Sequence, residues 1–579
     1  MTLDLDNYFR NPVSPKQRQY ELIRALTLDE VSIEEAAEKY NYKVTTVYSL
    51  LRDAKSGKIK LFPEVIKGPK KRTTLEEVQK KIISYRRKRL SSTDIEKALL
   101  KNEGIKISDR TIERILKEAG FPKLKRRTNK ELGKTPQGKI IPERADHLDF
   151  TKLEPFNIDC PIVGVFFFIP YILESRILDV VKKCELPESS DINATAACLS
   201  ILLFKLIGGK RLSHMSTYDQ EPGLGLFAGL NVLPKSTYMS TYSCRLSEKK
   251  MTILQEELIR IFLEKYPYFM NSNFINLDFH SIPHYGSESQ MEKVWCGARG
   301  KAMKGANTVF VQDAQSKALV YTRADILRSE EADEVKKFVK YWKNIKGTVQ
   351  ETLVFDCKFT TYQVLDELSD DQIEFITLRK RNANLVKKTL EIPKEDWQRV
   401  QLSIPKRKHK RVSVYEDEVK LKGCKNTFRQ IIIKDHGRSN PTFILSNNED
   451  LSLKKILEVY AKRWRVENKL GELVEFFNLN ALSSPIMIRI HFDILWTLIA
   501  DTLYHRFSQD LRRFEKALAP QIFKKFINMP GRVIYDGEKF IIKIRKRAHT
   551  PILKEVEMLK SGFPVPWLDN KKIDIVWSA

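Results

Sequence analysis

The sequence lacks any apolar run that is long enough to cross a membrane. The most apolar segment, Cys160–Leu173, is too short, and residues 484–504 are interrupted by Arg489, His491 and Asp493. The first residues, MTLDLDNYFR, lack the basic and then apolar layout of a signal peptide. We therefore expect no membrane partner.

Cysteine and histidine are scarce and scattered. The seven cysteines are odd in number, none belongs to a CxxC pair, and none lies beside a histidine at zinc-ligand spacing. This distribution argues against a disulfide framework and favours a reducing compartment. His280 and His284 are four residues apart, but Pro283 lies between them, so they are only a weak sign of a metal site.

Glycine and proline are also few, with 23 and 24 in 579 residues, whereas 42% of the residues are hydrophobic. This composition is typical of a globular protein, and the length allows about three or four domains. The formal charge of +27 favours a polyanionic partner, nucleic acid first and an anionic membrane second. A basic protein that is merely soluble is the alternative.

The first quarter of the chain predicts short helices joined by tight turns. In residues 1–60, Ser32 and Glu35 form a capping-box pattern, and the segment VTTVYSLLRDA begins a further helix after a turn. This is the helix-turn-helix pattern, and a second copy follows a basic linker within residues 61–145. The side chains that we expect to contact DNA lie near the start of each third helix: Thr45, Thr46, Tyr48 and Arg110.

Small three-helix units also occur in proteins that bind no DNA. The surplus of basic residues before Ala145 and the linker KSGKIKLFPEVIKGPKKR favour DNA binding, because lysine and arginine neutralise phosphates. Two such units on one tether predict a long, bipartite recognition site.

The two remaining helical or unassigned regions carry little functional information. Residues 146–270 are apolar and helical in pattern, for example TAACLSILLFKLIGG, and contain no catalytic spacing. We expect a helical linking or dimerisation domain there. Residues 511–579 form a C-terminal region to which the pattern assigns no fold.

After Asn273 the pattern changes to strands. The segments FINLDF, NTVFVQDA, KALVYTRADI, ETLVFD, QIEFITLRK and PTFILS predict strands, and helical segments lie between and after them. This order predicts an α/β core with a mixed sheet, formed by residues 271–381 and 441–510.

Three carboxylates stand out in this core. Asp278 and Asp356 lie near the ends of apolar strands, and Glu467 lies on the apolar stripe of residues 456–477 that should face the core. An aspartate at a strand end is more often a turn former or a helix cap, and a helix follows Asp356 closely. The three together would be oxygen ligands for Mg²⁺ or Mn²⁺, and two such ions about 4 Å apart support phosphodiester chemistry.

These residues resemble a known family. The order Asp278, Asp356, Glu467 is similar to that of the DDE transposases of bacterial insertion sequences. The spacing Tyr460-x2-Arg463-x3-Glu467 resembles the Tyr–Arg–Glu–Lys signature of one group. The segments YAKRWRVE, PTFILSNNEDLS and GLNVLPKSTYMSTYSCRL are similar too, so that the resemblance covers residues 146–510. Two positions depart from the family pattern: Val474 replaces the signature lysine, and Cys357-Lys358 replaces Arg-Gly.

The resemblance implies a ribonuclease H-like catalytic core with a β-rich insertion, residues 382–440, between the second and third acids. Asp278, Asp356 and Glu467 would be the catalytic residues and would hold two Mg²⁺ ions, for which Mn²⁺ substitutes. Tyr460 and Arg463 would position DNA, and the basic run PKRKHKR, which includes Lys406 and Arg407, would contact DNA. The reaction would be cut-and-paste movement by a homodimer on double-stranded transposon ends and target DNA, in the bacterial cytoplasm at the nucleoid.

Several alternatives stay open. Arg463 has a structural alternative, an ion pair with Glu467 one turn away, and the basic run is equally compatible with a solvated loop. The chain as a whole has two others: a non-catalytic or domesticated DNA-binding regulator, and a nuclease of the same fold that hydrolyses DNA without joining it.

Overall fold

The structure is a computed structural model, and it describes residues 9, 11–59, 61–62, 74–122, 124, 143–286, 291–404, 408–463, 465–481, 484 and 486–578. The chain divides into two compact units, Met1–Lys139 and Ile140–Ala579. Within the described ranges, none of the helices has the length and hydropathy that a membrane span requires.

The regular elements are numbered along the chain. The α-helices are α1 Pro15–Thr27, α2 Ile33–Lys39, α3 Val44–Lys55, α4 Glu76–Arg87, α5 Ser92–Glu103, α6 Asp109–Glu118, α7 Ile169–Glu174, α8 Ile177–Lys183, α9 Ala194–Leu206, α10 Pro222–Phe227, α11 Ser236–Thr241, α12 Glu248–Lys265, α13 Glu334–Lys346, α14 Tyr362–Asp370, α15 Ala383–Leu390, α16 Leu453–Lys462, α17 Arg465–Glu475, α18 Met487–Asp510, α19 Ala519–Ile522 and α20 Thr550–Glu555. The strands are β1 Phe156–Cys160, β2 Phe274–Pro283, β3 Lys293–Cys296, β4 Lys301–Asp313, β5 Leu319–Arg323, β6 Thr352–Val354, β7 Phe375–Leu378, β8 Gln398–Gln401, β9 Arg411–Lys420, β10 Thr427–Lys434, β11 Thr442–Ser446, β12 Gly531–Tyr535, β13 Phe540–Arg545, β14 Phe563–Pro564 and β15 Lys572–Ser578. Short 3-10 turns include Cys357–Phe359 and Leu479–Ala481.

The first unit contains two small helical cores, one formed by α1–α3 and one by α4–α6. The predicted cap at Ser32 is confirmed, because its hydroxyl accepts a hydrogen bond from the backbone N–H of Glu35. Ser91 and Asp94 form a full capping box at the start of α5, and Gly104 ends that helix with a positive φ of 68°. The predicted helices therefore exist, while their assignment as helix-turn-helix motifs remains a prediction.

The larger sheet contains Asp278 in β2 and ends one strand, β6, just before Asp356, while position 467 belongs to helix α17. Its strand order is β3-β4-β2-β6-β7-β11-β10-β9-β8, and β5 pairs with β4. The strands β2, β6 and β7 are parallel to one another, whereas β4 and β5 are antiparallel to their neighbours. Helices α13 and α14 connect β5 to β6 and β6 to β7. Strands β8, β9 and β10, all within the predicted insertion, lengthen this same sheet through β11.

The middle and C-terminal regions form a second sheet together, with the order β1-β12-β13-β15-β14. Strand β1 comes from the segment for which we predicted helices alone, and it pairs with β12 of the C-terminal region. Aromatic contacts join the same two regions, since the ring of Phe167 lies 6.0 Å from that of Trp577. A pairing across hundreds of residues leaves no local pattern, so the sequence did not reveal it.

Residues 456–477 do not form one continuous helix. Ile456 of α16 belongs to a small core that also contains Val354 and Ile444, whereas Leu470 of α17 belongs to the main core. Arg463 lies at the junction, as the residue that ends α16. The apolar stripe is therefore divided between two cores, and the junction brings its arginine to the edge of the sheet.

Candidate active site

The register of two parallel strands brings Asp278 and Asp356 together. Strand β2 pairs with β6 so that Phe274 faces Thr352 and Asn276 faces Val354. Two residues further on, the same register sets position 278 opposite position 356, with both on the sheet face that carries Asn276 and Val354. Both carboxylates line one cavity of about 820 Å³. The sequence-predicted pair is therefore brought together.

The surroundings of the two carboxylates differ. Asp278 lies inside β2, opposite Phe310 of β4, and its Oδ1 accepts the N–H of Phe279 at 3.0 Å. Asp356 follows β6 and precedes the 3-10 turn Cys357–Phe359, yet its side chain makes no capping hydrogen bond to that turn. The following helix α14 is capped by Thr361 instead. The helix-cap alternative for Asp356 therefore fails in the described structure.

Arg463 supplies the positive charge beside these acids. Its Nη1 lies 3.1 Å from Oδ2 of Asp278, and the two side chains are 13% and 16% exposed. Burial lowers the pKa of Arg463, but the charges of Asp278, Tyr460 and Asp356 raise it further, so the net shift is upward. The structure thus pairs Arg463 with Asp278, whereas the side chain of Glu467, its other predicted partner, lies outside the described residues.

The guanidinium of Arg463 also has unused donors. Its Nε and Nη1 are buried and have no hydrogen-bond partner among the described residues, because the ion pair with Asp278 is close but not aligned as a hydrogen bond. Buried N–H donors are nearly always satisfied in folded proteins. These two donors therefore lie at the cavity without an acceptor among the described residues.

One wall of the cavity belongs to helix α17. Leu470, Gly471 and Val474 line it, and a Cβ built on Gly471 would meet no atom within 4 Å. Val474, which stands at the signature-lysine position, is partly buried at this wall.

The opposite wall contains groups that the sequence analysis did not select. Lys358, Arg328, Glu331 and Asn307 line the cavity with the two aspartates. Lys358 follows Asp356 closely, and the sequence singled it out only as a departure from the family pattern. Arg328 begins the short 3-10 turn Arg328–Asp333, and the local sequence offers no signal for its place in the cavity.

His280 occupies the same cavity, two residues after Asp278. One ring nitrogen, Nε2, lies 2.8 Å from Oδ1 of Asn480. Burial lowers its pKa, and the contact with Asn480 opposes that shift. His280 is therefore a neutral, oriented imidazole near neutral pH, and the pairing of His280 with His284 as metal ligands finds no support in these contacts.

The donor chemistry fits a hard divalent cation in part. Two carboxylates in one cavity offer the oxygen ligands that Mg²⁺ or Mn²⁺ prefers. The described residues contain no cluster of three acidic, histidine or cysteine side chains around one point. The third predicted ligand, Glu467, is outside the described side chains. Arg463 compensates the charge of Asp278 from within the protein, so a bound cation would compete with it.

Of the remaining predicted contact residues, Tyr460 lies beside Arg463, and the others belong to the first unit or lie outside the described residues. Tyr460 packs at the edge of the small core, where burial raises its pKa. Thr45, Thr46 and Tyr48 are exposed at the start of α3, and Tyr48 is 55% exposed. Arg110 is exposed on α6. Lys406 and Arg407 lie outside the described residues.

Comparison with known protein families gives a match in this region. Residues 272–503 match the family model described as the transposase DDE domain. The matched range spans the larger sheet, both aspartates, Arg463 and most of α18. No curated protein matches the chain.

Solved structures give weaker similarities. The chain is similar to the piggyBac transposase in its synaptic complex with hairpin DNA, with 10% identity, a TM-score of 0.33, and coverage of 64% of this chain and 83% of that chain. It is also similar to the Mos1 mariner paired-end complex with Mn, with 10% identity, a TM-score of 0.13, and coverage of 62% and 77%. Endonuclease V from Bacillus subtilis gives 12% identity, a TM-score of 0.16, and coverage of 46% and 96%. Similarity at these scores provides no residue correspondence.

Proposed function

We propose that this protein is the DNA transposase of a bacterial insertion sequence, which binds the inverted repeats at the ends of its element, cleaves there and joins the ends to target DNA. The observation that carries the proposal is the placement of Asp278 and Asp356. Both line one cavity, beside the buried guanidinium of Arg463 and the wall formed by α17. A transposase DDE domain covers all of these elements.

The order of the strands supports a ribonuclease H-like core. Strands β5-β4-β2-β6-β7 place an antiparallel three-stranded segment beside two parallel strands, with α13 and α14 as the crossover helices. In chain order, the first acid lies on the first of these five strands, β2, and the second follows the fourth, β6. Such a sheet edge is where residues from separate strands converge on a ligand.

Asp278, Asp356 and Glu467 are the residues that would hold the metal ions, two Mg²⁺ with Mn²⁺ as a substitute. Bound there, the ions supply charge neutralisation at the scissile phosphate and lower the pKa of the attacking water. In cleavage, the water oxygen bonds to phosphorus, the bond from phosphorus to the 3′ oxygen breaks, and that oxygen takes a proton to become a 3′-hydroxyl. In joining, the 3′-hydroxyl attacks a target phosphate in the same way.

The chain's own cations have a role at the same phosphate. The open donors of Arg463 are suited to charge-assisted hydrogen bonds with phosphate oxygens. Lys358 and Arg328 line the cavity and would attract the DNA backbone to it. Tyr460 packs against Arg463, with the guanidinium carbon 5.8 Å from the ring centre, and orients it.

DNA recognition is assigned to the first unit. Thr45, Thr46, Tyr48 and Arg110 are exposed at helix starts, which fits base-edge and phosphate contacts in a major groove. The basic run with Lys406 and Arg407 would add contacts from the predicted insertion. A homodimer would hold the two ends, since each end needs one active site and both ends must be joined together.

The decisive experiment measures cleavage and binding separately. We expect Asp278→Asn and Asp356→Asn each to lower cleavage of the DNA that flanks the reading frame by about 10²-fold or more, because each removes a metal-ligand charge without changing shape. Binding of the same DNA should remain. The matched control is Asp371→Asn, whose carboxylate is 60% exposed at the end of α14.

Three outcomes decide between the candidates. Unchanged cleavage in both variants contradicts the proposed active site. Binding without any cleavage by the wild-type protein favours a regulator. Cleavage without joining, measured with a pre-cut end that carries a 3′-hydroxyl, favours a nuclease.

A further inference from the structure

A second cavity lies on the other side of helix α17 from the candidate active site. Lys469 and Glu472 of α17 line it, whereas Leu470 and Gly471 of the same helix line the cavity that contains the two aspartates. Its other walls come from α18, the segment before β2, the turn between β4 and β5, and residues 515–519. Its volume is about 360 Å³, enough for a small molecule. This space is called the rear cavity below.

The floor of the rear cavity carries a carboxylate that the protein compensates only in part. The Nζ of Lys469 lies 2.6 Å from Oδ1 of Asp501, and the two side chains are 9% and 6% exposed. The same ammonium lies 3.0 Å from Glu472, so one buried cation serves two buried anions. Burial raises the pKa of Asp501 to about 6, although Lys469 opposes this shift. Because Lys469 contacts Oδ1, the other oxygen of Asp501 can accept from a second cation.

Two uncharged acceptors lie beside this carboxylate. His505 follows Asp501 by four residues on α18, so their side chains share one face of the helix. Burial lowers the pKa of His505 to about 4, so near pH 7 the imidazole is neutral and one ring nitrogen can accept a hydrogen bond. The ring centre of Tyr268 lies 5.8 Å from that of His505. The Tyr268 hydroxyl is buried and has no hydrogen-bond partner among the described residues.

These acceptors select the chemical class of the ligand. A carboxylate oxygen, a phenol oxygen and an imidazole nitrogen match the three N–H donors of a primary ammonium group. The rings of Tyr268 and Tyr504 line the same space, and aromatic faces also attract a cation. A metal ion fits less well, because the described side chains contain no cluster of three acidic, histidine or cysteine ligands.

The opening of the rear cavity has the opposite charge. Lys317, Glu515 and Lys516 line it and are exposed, so that two cations and one anion lie at the opening. The floor has one cation for two carboxylates. A ligand with an ammonium group inside and an anionic group at the opening would therefore be attracted at both of its ends.

We propose that the rear cavity binds a small zwitterion of the amino-acid class. Its ammonium group donates to Asp501, His505 and Tyr268. Its carboxylate lies near Lys317 and Lys516. The inference does not depend on the proposed function, because it concerns a different cavity and no nucleic acid. Since α17 forms a wall of both cavities, the ligand would stabilise a wall of the candidate active site without entering it.

The test is isothermal titration calorimetry of the full chain at pH 7.5, without DNA or metal ions. The zwitterionic probes are glycine, 4-aminobutyrate and 6-aminohexanoate, which differ in the separation of their charges. We expect at least one of them to bind with a Kd below about 1 mM. n-Butylammonium, which has the cation alone, should bind about two- to fivefold more weakly than that zwitterion, because the lysines at the opening are exposed. Butyrate, which has the anion alone, should not bind.

A single hydroxyl separates a binding role from a structural one. Tyr268→Phe keeps the ring and should weaken binding of the zwitterion by about 10-fold or more, because a hydrogen bond to a charged group is lost. Its melting temperature should not fall, since the hydroxyl has no partner among the described residues. The matched control is Tyr238→Phe, whose hydroxyl is also buried without a partner in the described structure but lies outside the rear cavity. The control should bind as the wild type does.

Several results would overturn the inference. One is that no zwitterion binds to the wild type with a Kd below about 1 mM. Another is that Tyr268→Phe binds as tightly as the wild type, or loses no more affinity than Tyr238→Phe. Butyrate that binds as tightly as the zwitterion would also overturn it and assign the rear cavity to an anion.

Discussion

A buried ion cluster anchors the back of helix α17, and breaking it provides the most quantitative test of the fold around the site. The Nζ of Lys469 lies 3.0 Å from Glu472 and 2.6 Å from Asp501 of α18, and the three side chains are 9%, 5% and 6% exposed. Glu472 also accepts the N–H of Ala519 at 3.0 Å. One ammonium therefore ties α17 to α18 and to the C-terminal region.

The expected cost follows from the charges that remain. Lys469→Met keeps the length of the side chain but leaves two buried carboxylates without their cation. Removing one partner of a buried pair costs about 3–5 kcal/mol, because the other charge stays desolvated. We therefore expect Lys469→Met to lower the free energy of unfolding by about that amount at pH 7.5.

The pH dependence adds a second check with a defined sign. Burial raises the pKa of Asp501 to about 6, although Lys469 opposes this shift. Because the pKa of Asp501 is higher in the folded protein, its protonation stabilises the fold fully at pH values below its unfolded pKa near 3.8. This contribution is lost as the pH rises through about 6. The penalty of Lys469→Met should accordingly be smaller at pH 5, where Asp501 can take up a proton, than at pH 7.5.

The assay is urea unfolding followed by tryptophan fluorescence. All seven tryptophans lie within the second unit, Ile140–Ala579, so the signal reports that unit alone. Lys516→Met is the control, since Lys516 is exposed. A variant with Lys469→Met, Glu472→Gln and Asp501→Leu should recover most of the loss, because it removes the buried charges. A loss no larger than that of the control, or no recovery in the triple variant, would refute the reasoning.

Three further predictions concern single groups. Arg463→Gln should destabilise the second unit in EDTA by about 1.5–3 kcal/mol, because the buried charged contact to Asp278 is lost. In thermal melts, added Mn²⁺ should stabilise this variant more than it stabilises the wild type. Burial lowers the pKa of His491 to about 4, so its stabilising contribution is present above about 6.5 and is lost as the pH falls through 4. Between pH 6.5 and 4 the free energy of unfolding of the wild type should therefore fall more than that of His491→Gln, by at most about 3 kcal/mol, in urea titrations. An equal fall in both proteins would contradict this cause. Arg110→Gln should weaken duplex binding and reduce its salt slope by about 1, whereas Leu100→Ala, 54% exposed on α5, should change neither.

The sequence predicted the local parts of the site well. Alternating apolar residues predicted β2, β4, β5, β6, β7 and β11, and all six strands are confirmed. The positions of Asp278 and Asp356 relative to their strands followed from the same pattern. Their adjacency also follows once β2 and β6 are parallel neighbours, because register then aligns them.

What the sequence could not predict depends on contacts between distant segments. The pairing of β1 with β12 joins residue 160 to residue 531, and neither strand has a pattern that specifies its partner. The break near Arg463 was hidden because the apolar spacing continues through it. In the structure the stripe is divided between two cores, one that contains Ile456 and one that contains Leu470, and apolar spacing alone does not distinguish them.

The two departures from the pattern that the resemblance implies lie at the same cavity. The resemblance predicts a lysine at position 474, where the chain has valine, and Arg-Gly at positions 357 and 358, where it has Cys357-Lys358. Val474 and Lys358 both line the cavity that also contains the two aspartates. A phosphate near Asp278 and Asp356 needs positive charge close by to offset the repulsion between anions. The Coulomb energy between a cation and the phosphate depends on their distance. It does not depend on which helix or strand carries the cation. The cavity therefore keeps a lysine, together with Arg463 and Arg328, although α17 does not supply it at position 474.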